Sequence, residues 1–348
     1  MKAAVYRGKG QLVVEDVPRP EPGPGEIVVR IEAAGICGTD LKKIQKGLME
    51  PPRIFGHEMA GTVSALGAGV TRFREGQRVV LHHHMPCRRC FYCAEGAYAQ
   101  CDDYRRNGTT AGFEPAGGGY AEYVKALDFI VDGGVIPVPD GVEAEEAAFV
   151  EPVNTCLKAV KRAGLRPGQR TLVVGQGAIG LLLTQLCRLE GTEPIVSDPL
   201  PDRRAHALTL GASVALPADE GVPAEVRRLT GRGADVAFVA ALGTAPLRQA
   251  IDSVRPAGRI LVFAATSPGE IAEVDFGRLC ASEKQLWTSY SSSVDVQDQA
   301  AQLVFGREVR VRELITHRFA LDEAPQAFDL AARPGPGVLK VMLRPDAR

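Results

Sequence analysis

The chain has 348 residues, too long for one typical core and suited to two domains. Its formal net charge is −1, with 24% charged and 45% hydrophobic residues, which excludes bulk attraction to nucleic acid or an anionic membrane. No apolar run is long enough to span a bilayer, and Met1–Arg7 lacks the apolar core of a signal peptide, so a cytoplasmic protein is expected.

The first part reads as mostly β. Short strands are predicted over Lys2–Tyr6, Gln11–Asp16, Glu26–Ala33, Met59–Leu66, Gln77–Leu81 and Tyr120–Lys125, separated by turns such as Pro18–Gly25 and Gly67–Gly69. This spacing predicts a small barrel or sandwich, with a short helix after Cys37 over Asp40–Gln45. From Leu165 the pattern changes to alternation. Strands are expected at Thr171–Val174, Pro194–Ser197, Ser213–Leu216, Asp235–Ala240 and Arg259–Phe263, with helices at Ala178–Glu190, Pro201–Leu210, Pro223–Thr230 and Ala245–Val254 between them. Such alternation predicts an α/β, doubly wound parallel sheet. Gln285–Ser289 would be its sixth strand. Helices at Val296–Phe305 and Leu321–Ala332 and a strand at Val338–Leu343 lie outside the alternation and are expected to return to the first domain. The expected division is therefore 1–150, 151–290 and a returning segment 291–348.

The stretch Thr171-Leu172-Val173-Val174-Gly175-Gln176-Gly177-Ala178-Ile179-Gly180 carries the first chemical signal. A lone G-x-G-x-x-G often only connects elements. Here a strand precedes it, a helix follows, and Asp198 ends the next strand eighteen residues after Gly180. Gly175 permits the sharp turn, Gly177 lets a pyrophosphate approach the backbone, and Gly180 lets the helix pack close. The helix N-terminus offers free N–H groups to phosphates. Asp198 would bond the ribose hydroxyls of NAD and repel the 2′-phosphate of NADP, although Arg203 and Arg204 nearby soften that preference.

Four of the eight cysteines, Cys87, Cys90, Cys93 and Cys101, are separated by two, two and seven residues within a lobe spanning 82–105. Such crowding points to metal rather than disulfides, and four thiolates can wrap one zinc tetrahedrally. The usual bacterial iron–sulfur run has three residues before its fourth cysteine and then proline, unlike the gap and Asp102 found here. Buried thiols are a poor alternative between polar flanks, and no basic face supports a nucleic-acid zinc ribbon. A closed four-thiolate site would be structural. Cys156, Cys187 and Cys280 are expected to be core thiols.

A second set is more dispersed. Cys37 in Gly35-Ile36-Cys37-Gly38-Thr39-Asp40, His57 and Glu58 in Gly56-His57-Glu58, and Glu151 in Glu151-Pro152 together offer one thiolate, one imidazole and two carboxylates. That is a plausible catalytic zinc set with one open position, but spacing alone does not bring these residues together.

These pieces, with the cysteine lobe and the Gly175–Gly180 turn, occur in order over nearly the whole chain and resemble the zinc-dependent medium-chain alcohol dehydrogenases. The resemblance implies a GroES-like catalytic domain, a Rossmann domain, NAD, and one catalytic and one structural zinc per chain. It implies that Cys37 and His57 are catalytic zinc ligands, with Glu58 a third or exchanging one. Glu151, in place of a cysteine, resembles the sorbitol, threonine and sugar-alcohol dehydrogenase branch. Either glutamate could ligate at rest. Thr39 would bond the substrate oxygen and pass on its proton. Thr155 would contact the nicotinamide side, the turn that includes Ile179 would hold the dinucleotide, and Arg203 would sit beside the adenosine ribose.

His82-His83-His84 reads as a polar edge before the lobe. His84 also stands where, in the threonine dehydrogenase branch, a histidine resembles an acid/base residue near the substrate. Trp287 could mark an oligomer edge or be ordinary core. The implied activity is oxidation of a secondary alcohol, polyol, sugar or similar hydroxyl compound by a homo-oligomer, dimer or tetramer. A threonine 3-dehydrogenase-like activity is the alternative, although Phe113–Gly119 does not point to amino-acid recognition. A zinc-independent reductase or a non-enzymatic member of the fold is disfavoured, because no expected ligand is missing.

Overall fold

The computed structural model describes residues 1–104, 109–111, 117–263 and 269–345. Part of the Phe113–Gly119 stretch and residue 105 of the expected lobe lie outside the described residues. The chain divides into one unit of Met1–Asn154 with Ser292–Arg348, and a second of Thr155–Ser291.

In the first unit, an eight-stranded sheet runs in the order Ile315–Ala320, Lys340–Arg344, Ile27–Gly35, Glu58–Leu66, Arg78–Leu81, Val135–Pro137. Its remaining strands are Tyr123–Ala126, which pairs with Ile27–Gly35, and Thr109–Thr110, which pairs with Tyr123–Ala126. Lys2–Gly8 forms a smaller sheet with Gln11–Asp16 and Arg53–Ile54. The antiparallel pairing of Ile27–Gly35 with Glu58–Leu66 puts Gly35 opposite Glu58. The chain end carrying Cys37 therefore lies beside the strand start carrying His57. The core of this unit gathers Val29, Ile31, Met59, Leu81, Tyr120 and Phe328. The tail joins it directly, since Met342 pairs with Gly35 and Leu343 with Ala34.

The second unit holds a six-stranded parallel sheet in the order Val214–Pro217, Glu193–Asp198, Arg170–Val174, Ala234–Val239, Val254–Val262, Gln285–Thr288. Its central strands are nearly continuous buried runs, as a parallel sheet covered on both faces requires. Helices at Ala178–Leu189, Pro201–Thr209, Val222–Thr230 and Thr244–Ser253 connect the first five strands. The helix Pro201–Thr209 ends through Gly211, whose φ of 106° suits the αL stop.

Several details differ from the sequence expectations. The strand expected from Arg259 begins at Val254. Val254 pairs with Ala234, and the register shifts before Arg259 meets Val236, so Pro256-Ala257-Gly258 forms a bulge inside one strand. A helix over Val150–Ala163 and a strand over Ile315–Ala320 had no assigned counterpart. Pro152 sits near the start of that helix, where its missing N–H costs nothing. Cys156 and Cys187 are buried, but Cys280 is exposed and corrects the expectation of a core thiol. It lies on the short helix Phe276–Ala281, which buries Leu279 instead. Trp287 is on the edge strand Gln285–Thr288, all of whose residues are exposed, so it is not core. Among the described residues no helix is long and apolar enough to cross a membrane.

Candidate active site

Ligating atoms of Cys37, His57 and Glu58 lie within 4.8 Å of one another. Cys37 precedes the helix Gly38–Lys46, and Glu58 opens its strand. Asp40, in the first turn of that helix, is buried, and its Oδ2 lies 3.1 Å from His57 Nδ1. That contact fixes the ring, leaving the other nitrogen to face Cys37. Burial alone would push the Asp40 carboxyl up, but His57, Lys43 and Tyr120 outweigh it and bring it down to about 2. Burial likewise opposes a proton on His57, yet the negative charges of Asp40 and Cys37 hold its imidazole well above the usual value. A cysteine sulfur, an imidazole and the buried Glu58 carboxylate thus converge in a half-buried place that favours a cation. This donor set fits zinc.

Lys340, from the returning strand, is buried, pairs with Glu58 Oε2 and donates to Ile36 O at 3.2 Å. Burial alone would lower its pKa, but the charges of Glu58, Cys37 and Glu151 outweigh it and raise the value. Glu151 is buried in the first turn of Val150–Ala163 and lies outside the three-residue group. Thr39 Oγ1 donates to Cys37 Sγ at 3.2 Å. Tyr120 is fully buried, with its hydroxyl 3.0 Å from Asp40 Oδ2. Burial, then the charges of Asp40, Glu58 and Cys37, hold this phenol well above its usual range, so it stays protonated.

The three histidines do not act alike. The His83 ring packs on His57 with centroids 4.8 Å apart. His84 packs edge-on against Tyr104 at 4.8 Å, and its Nδ1 lies 2.6 Å from His83 O. His84 is thus one ring removed from His57. His82 is buried and lies 3.3 Å from Ser292 Oγ.

Cys87, Cys90, Cys93 and Cys101 bring their sulfurs within 4.8 Å of one another. Cys87 N–H donates to Cys101 Sγ at 3.2 Å, and backbone N–H groups of Asp102 and Cys93 bring the Cys90 thiol down to about 6. Four close sulfurs with amide donors suit a closed tetrahedral zinc site.

The cofactor residues lie in the second unit. Gly175 turns with φ 90° after the strand Arg170–Val174, and Gly177 precedes the twelve-residue helix Ala178–Leu189. A Cβ on Gly180 would sit 1.8 Å from Gly175 O, so only glycine lets the helix approach the turn. Ile179 O lies 4.0 Å from Cys156 Sγ, in the first turn of that helix. Asp198 is buried and accepts Gln176 N–H at 2.6 Å and Leu200 N–H at 2.9 Å. Arg203 Nη1 is 3.9 Å from a Cβ placed on Gly177. Arg204 instead donates to Asp198 O and Pro199 O. Thr155 is half-buried in the first part of this unit. The glycine turn before an open helix N-terminus, with a fixed acid alongside, fits a dinucleotide. A basic groove lined by Arg166, Gln169, Arg232, Asp235 and Arg255 lies at the opposite end of the parallel strands, where buried Asp235 pairs with both Arg232 and Arg255.

Sequence reasoning assigned no role to Lys340, Asp40, Tyr120 or His83. Asp40 carried a signal in its place beside Cys37, whereas Lys340 and Tyr120 carried none locally.

Residues 23–140 match the alcohol dehydrogenase GroES-like domain, and residues 178–305 match the zinc-binding dehydrogenase family. The chain is 30% identical to the sorbitol dehydrogenase of Bacillus subtilis (strain 168), covering 99% of this chain and 98% of that protein. It is also 30% identical to the L-threonine 3-dehydrogenase of Pyrococcus abyssi, covering 96% and 95%. A zinc-binding dehydrogenase from Sinorhizobium meliloti 1021, solved bound to NADP, superposes with a TM-score of 0.89 at 30% identity over 99% of each chain. The chain therefore belongs to the zinc-type medium-chain alcohol dehydrogenases, in the sorbitol and threonine dehydrogenase branch, whose cofactors are zinc and a nicotinamide dinucleotide.

Proposed function

We propose that this protein oxidises a secondary alcohol of a polyol, sugar or related hydroxyl compound to a ketone, with NAD as hydride acceptor. The observation that carries this reading is the convergence of Cys37, His57 and Glu58, in a chain whose other unit presents a glycine turn and Asp198. Cys37, His57 and Glu58 would hold a catalytic zinc, and the four lobe cysteines a structural one. Zinc held there would supply Lewis acidity that favours loss of the substrate's hydroxyl proton, and a bound nicotinamide would supply the hydride acceptor.

The chain's own groups prepare the rest. Asp40 orients His57 through Nδ1. Lys340 offsets the Glu58 charge and keeps that carboxylate within reach of the ligand group. Thr39 Oγ1, beside Cys37 Sγ, is placed to hold the departing proton. The amides at the start of Ala178–Leu189 would bind the pyrophosphate. Asp198, fixed by two amides, would accept ribose hydroxyls and oppose a 2′-phosphate, while Arg204 is committed to neighbouring carbonyls. These contacts support NAD over NADP.

An L-threonine 3-dehydrogenase-like reaction is the second reading. It is favoured by His84 and by likeness to the Pyrococcus enzyme. Reduction of NAD and NADP followed across polyols, sugars, simple alcohols and L-threonine separates the two. Polyol turnover with NAD supports the lead reading. Turnover of threonine alone replaces it with the second. A silent panel from protein holding both zincs contradicts both.

A further inference from the structure

We infer that Tyr120 is a positioning residue for the catalytic metal, acting through its phenol hydroxyl. The inference rests on the reading of Cys37, His57 and Glu58 as metal ligands.

Three groups converge on that hydroxyl. Asp40 Oδ2 lies at 3.0 Å, Gly35 O at 3.1 Å, and Cys37 N–H donates to it from 3.4 Å. One phenol has one hydrogen to give, and a carboxylate is the stronger acceptor. The hydroxyl therefore donates to Asp40 and accepts from the Cys37 amide. Asp40 Oδ2 also faces His57 Nδ1 at 3.1 Å. The phenol thus touches the backbone of one ligand and, through one carboxylate oxygen, the ring of another.

The ring cannot drift. Tyr120 is fully buried and packs edge-on against Phe328 with centroids 5.1 Å apart. Its backbone is tied to the segment that carries His57. Tyr120 N–H donates to Phe55 O at 3.0 Å, and Gly119 N–H donates to Gly56 O at 2.9 Å. On the other side, Tyr120 O accepts Ala4 N–H at 2.8 Å. This approach requires glycine before His57: Gly56 has φ 105°, and a Cβ there would lie 2.7 Å from Tyr120 N. Tyr120 therefore clamps the His57 segment through its backbone and the Cys37 loop through its hydroxyl. It sets the distance between two ligands that come from separate segments.

A group that only fills space would work as well without its oxygen. Tyr120→Phe keeps the ring and its packing, so it isolates the hydroxyl. Chelated wild type and Tyr120→Phe are titrated with zinc, and with cobalt(II) while the visible ligand-field bands are recorded. The expected result is a roughly 10- to 100-fold loss of zinc affinity at the second equivalent, the range found for removal of groups that orient metal ligands. The cobalt bands of that equivalent shift, while the equivalent held by the cysteine lobe is unchanged and reports an intact fold. In an Asp40→Asn background the loss from Tyr120→Phe shrinks to a few-fold, because most of the effect runs through that carboxylate. Unchanged affinity and bands, even with a lower melting temperature, would overturn the inference and leave Tyr120 as packing. Equal losses in both backgrounds would also overturn it. A wild type that takes up a single equivalent would remove the metal site itself, and this inference with it.

Discussion

Lys340 forms a buried ion pair with Glu58, although they stand 282 positions apart in the chain, so the last strand supplies the counter-charge for a candidate metal ligand. Removing one partner of a buried pair leaves the other charge uncompensated, typically at a cost of about 3–5 kcal/mol. Lys340→Met should therefore lower the unfolding free energy by about that much in chelated protein. Zinc brings positive charge to the same carboxylate, so the loss should be smaller in zinc-saturated protein. Urea unfolding with and without chelator reads both. Equal losses in the two conditions would show that Glu58 and zinc do not share the site.

The buried His82 makes stability depend on pH. Burial, with the His84 charge behind it, pushes its pKa from 6.5 down to about 3. Unfolding frees an imidazole that takes a proton near 6.5, so acid favours the unfolded chain. This contribution is complete above 6.5 and is lost as pH falls toward 3. At about pH 5 the loss is on the order of 2 kcal/mol. His82→Gln should flatten the fall in unfolding free energy between about pH 7 and about pH 5 by that amount. Parallel wild-type and variant curves would exclude His82 as the source.

The cysteine lobe predicts a separable zinc. Cys101 is buried, and its sulfur accepts the Cys87 amide. Cys101→Ser should remove one equivalent of zinc per chain and expose the lobe to proteolysis, leaving the second equivalent bound. Metal analysis of the purified variant checks this. Unchanged stoichiometry would contradict a four-thiolate site.

Asp198 should decide between the dinucleotides. Asp198→Ala removes the charge that opposes a 2′-phosphate and frees the Gln176 and Leu200 amides. The ratio of kcat/KM for NAD to that for NADP should fall about tenfold or more, equivalent to about 1.4 kcal/mol. A ratio that does not change would move the specificity elsewhere.

What was legible in the sequence was local. The glycine turn, the strand and helix alternation and the crowded cysteines are short-range patterns, and each became a local structure of the expected kind. Cys37 and His57 were legible only as fragments. The register that sets Gly35 opposite Glu58 brings them together, and no spacing encodes a register between strands so far apart. Lys340 and Tyr120 were not legible for the same reason, since each meets the site through tertiary pairing. Ile315–Ala320 escaped because it is half-covered, without clean alternation.

We propose that Cys37, His57 and Glu58 hold the metal that makes this chain a dehydrogenase. This is tested most directly by adding zinc back to chelated protein while following NADH formation from the best substrate of the panel, in wild type and Cys37→Ser. Wild type is expected to bind two equivalents and regain turnover. Cys37→Ser is expected to bind one equivalent, held by the lobe, and to lose turnover. Near wild-type turnover from Cys37→Ser with zinc only in its cysteine lobe would contradict it.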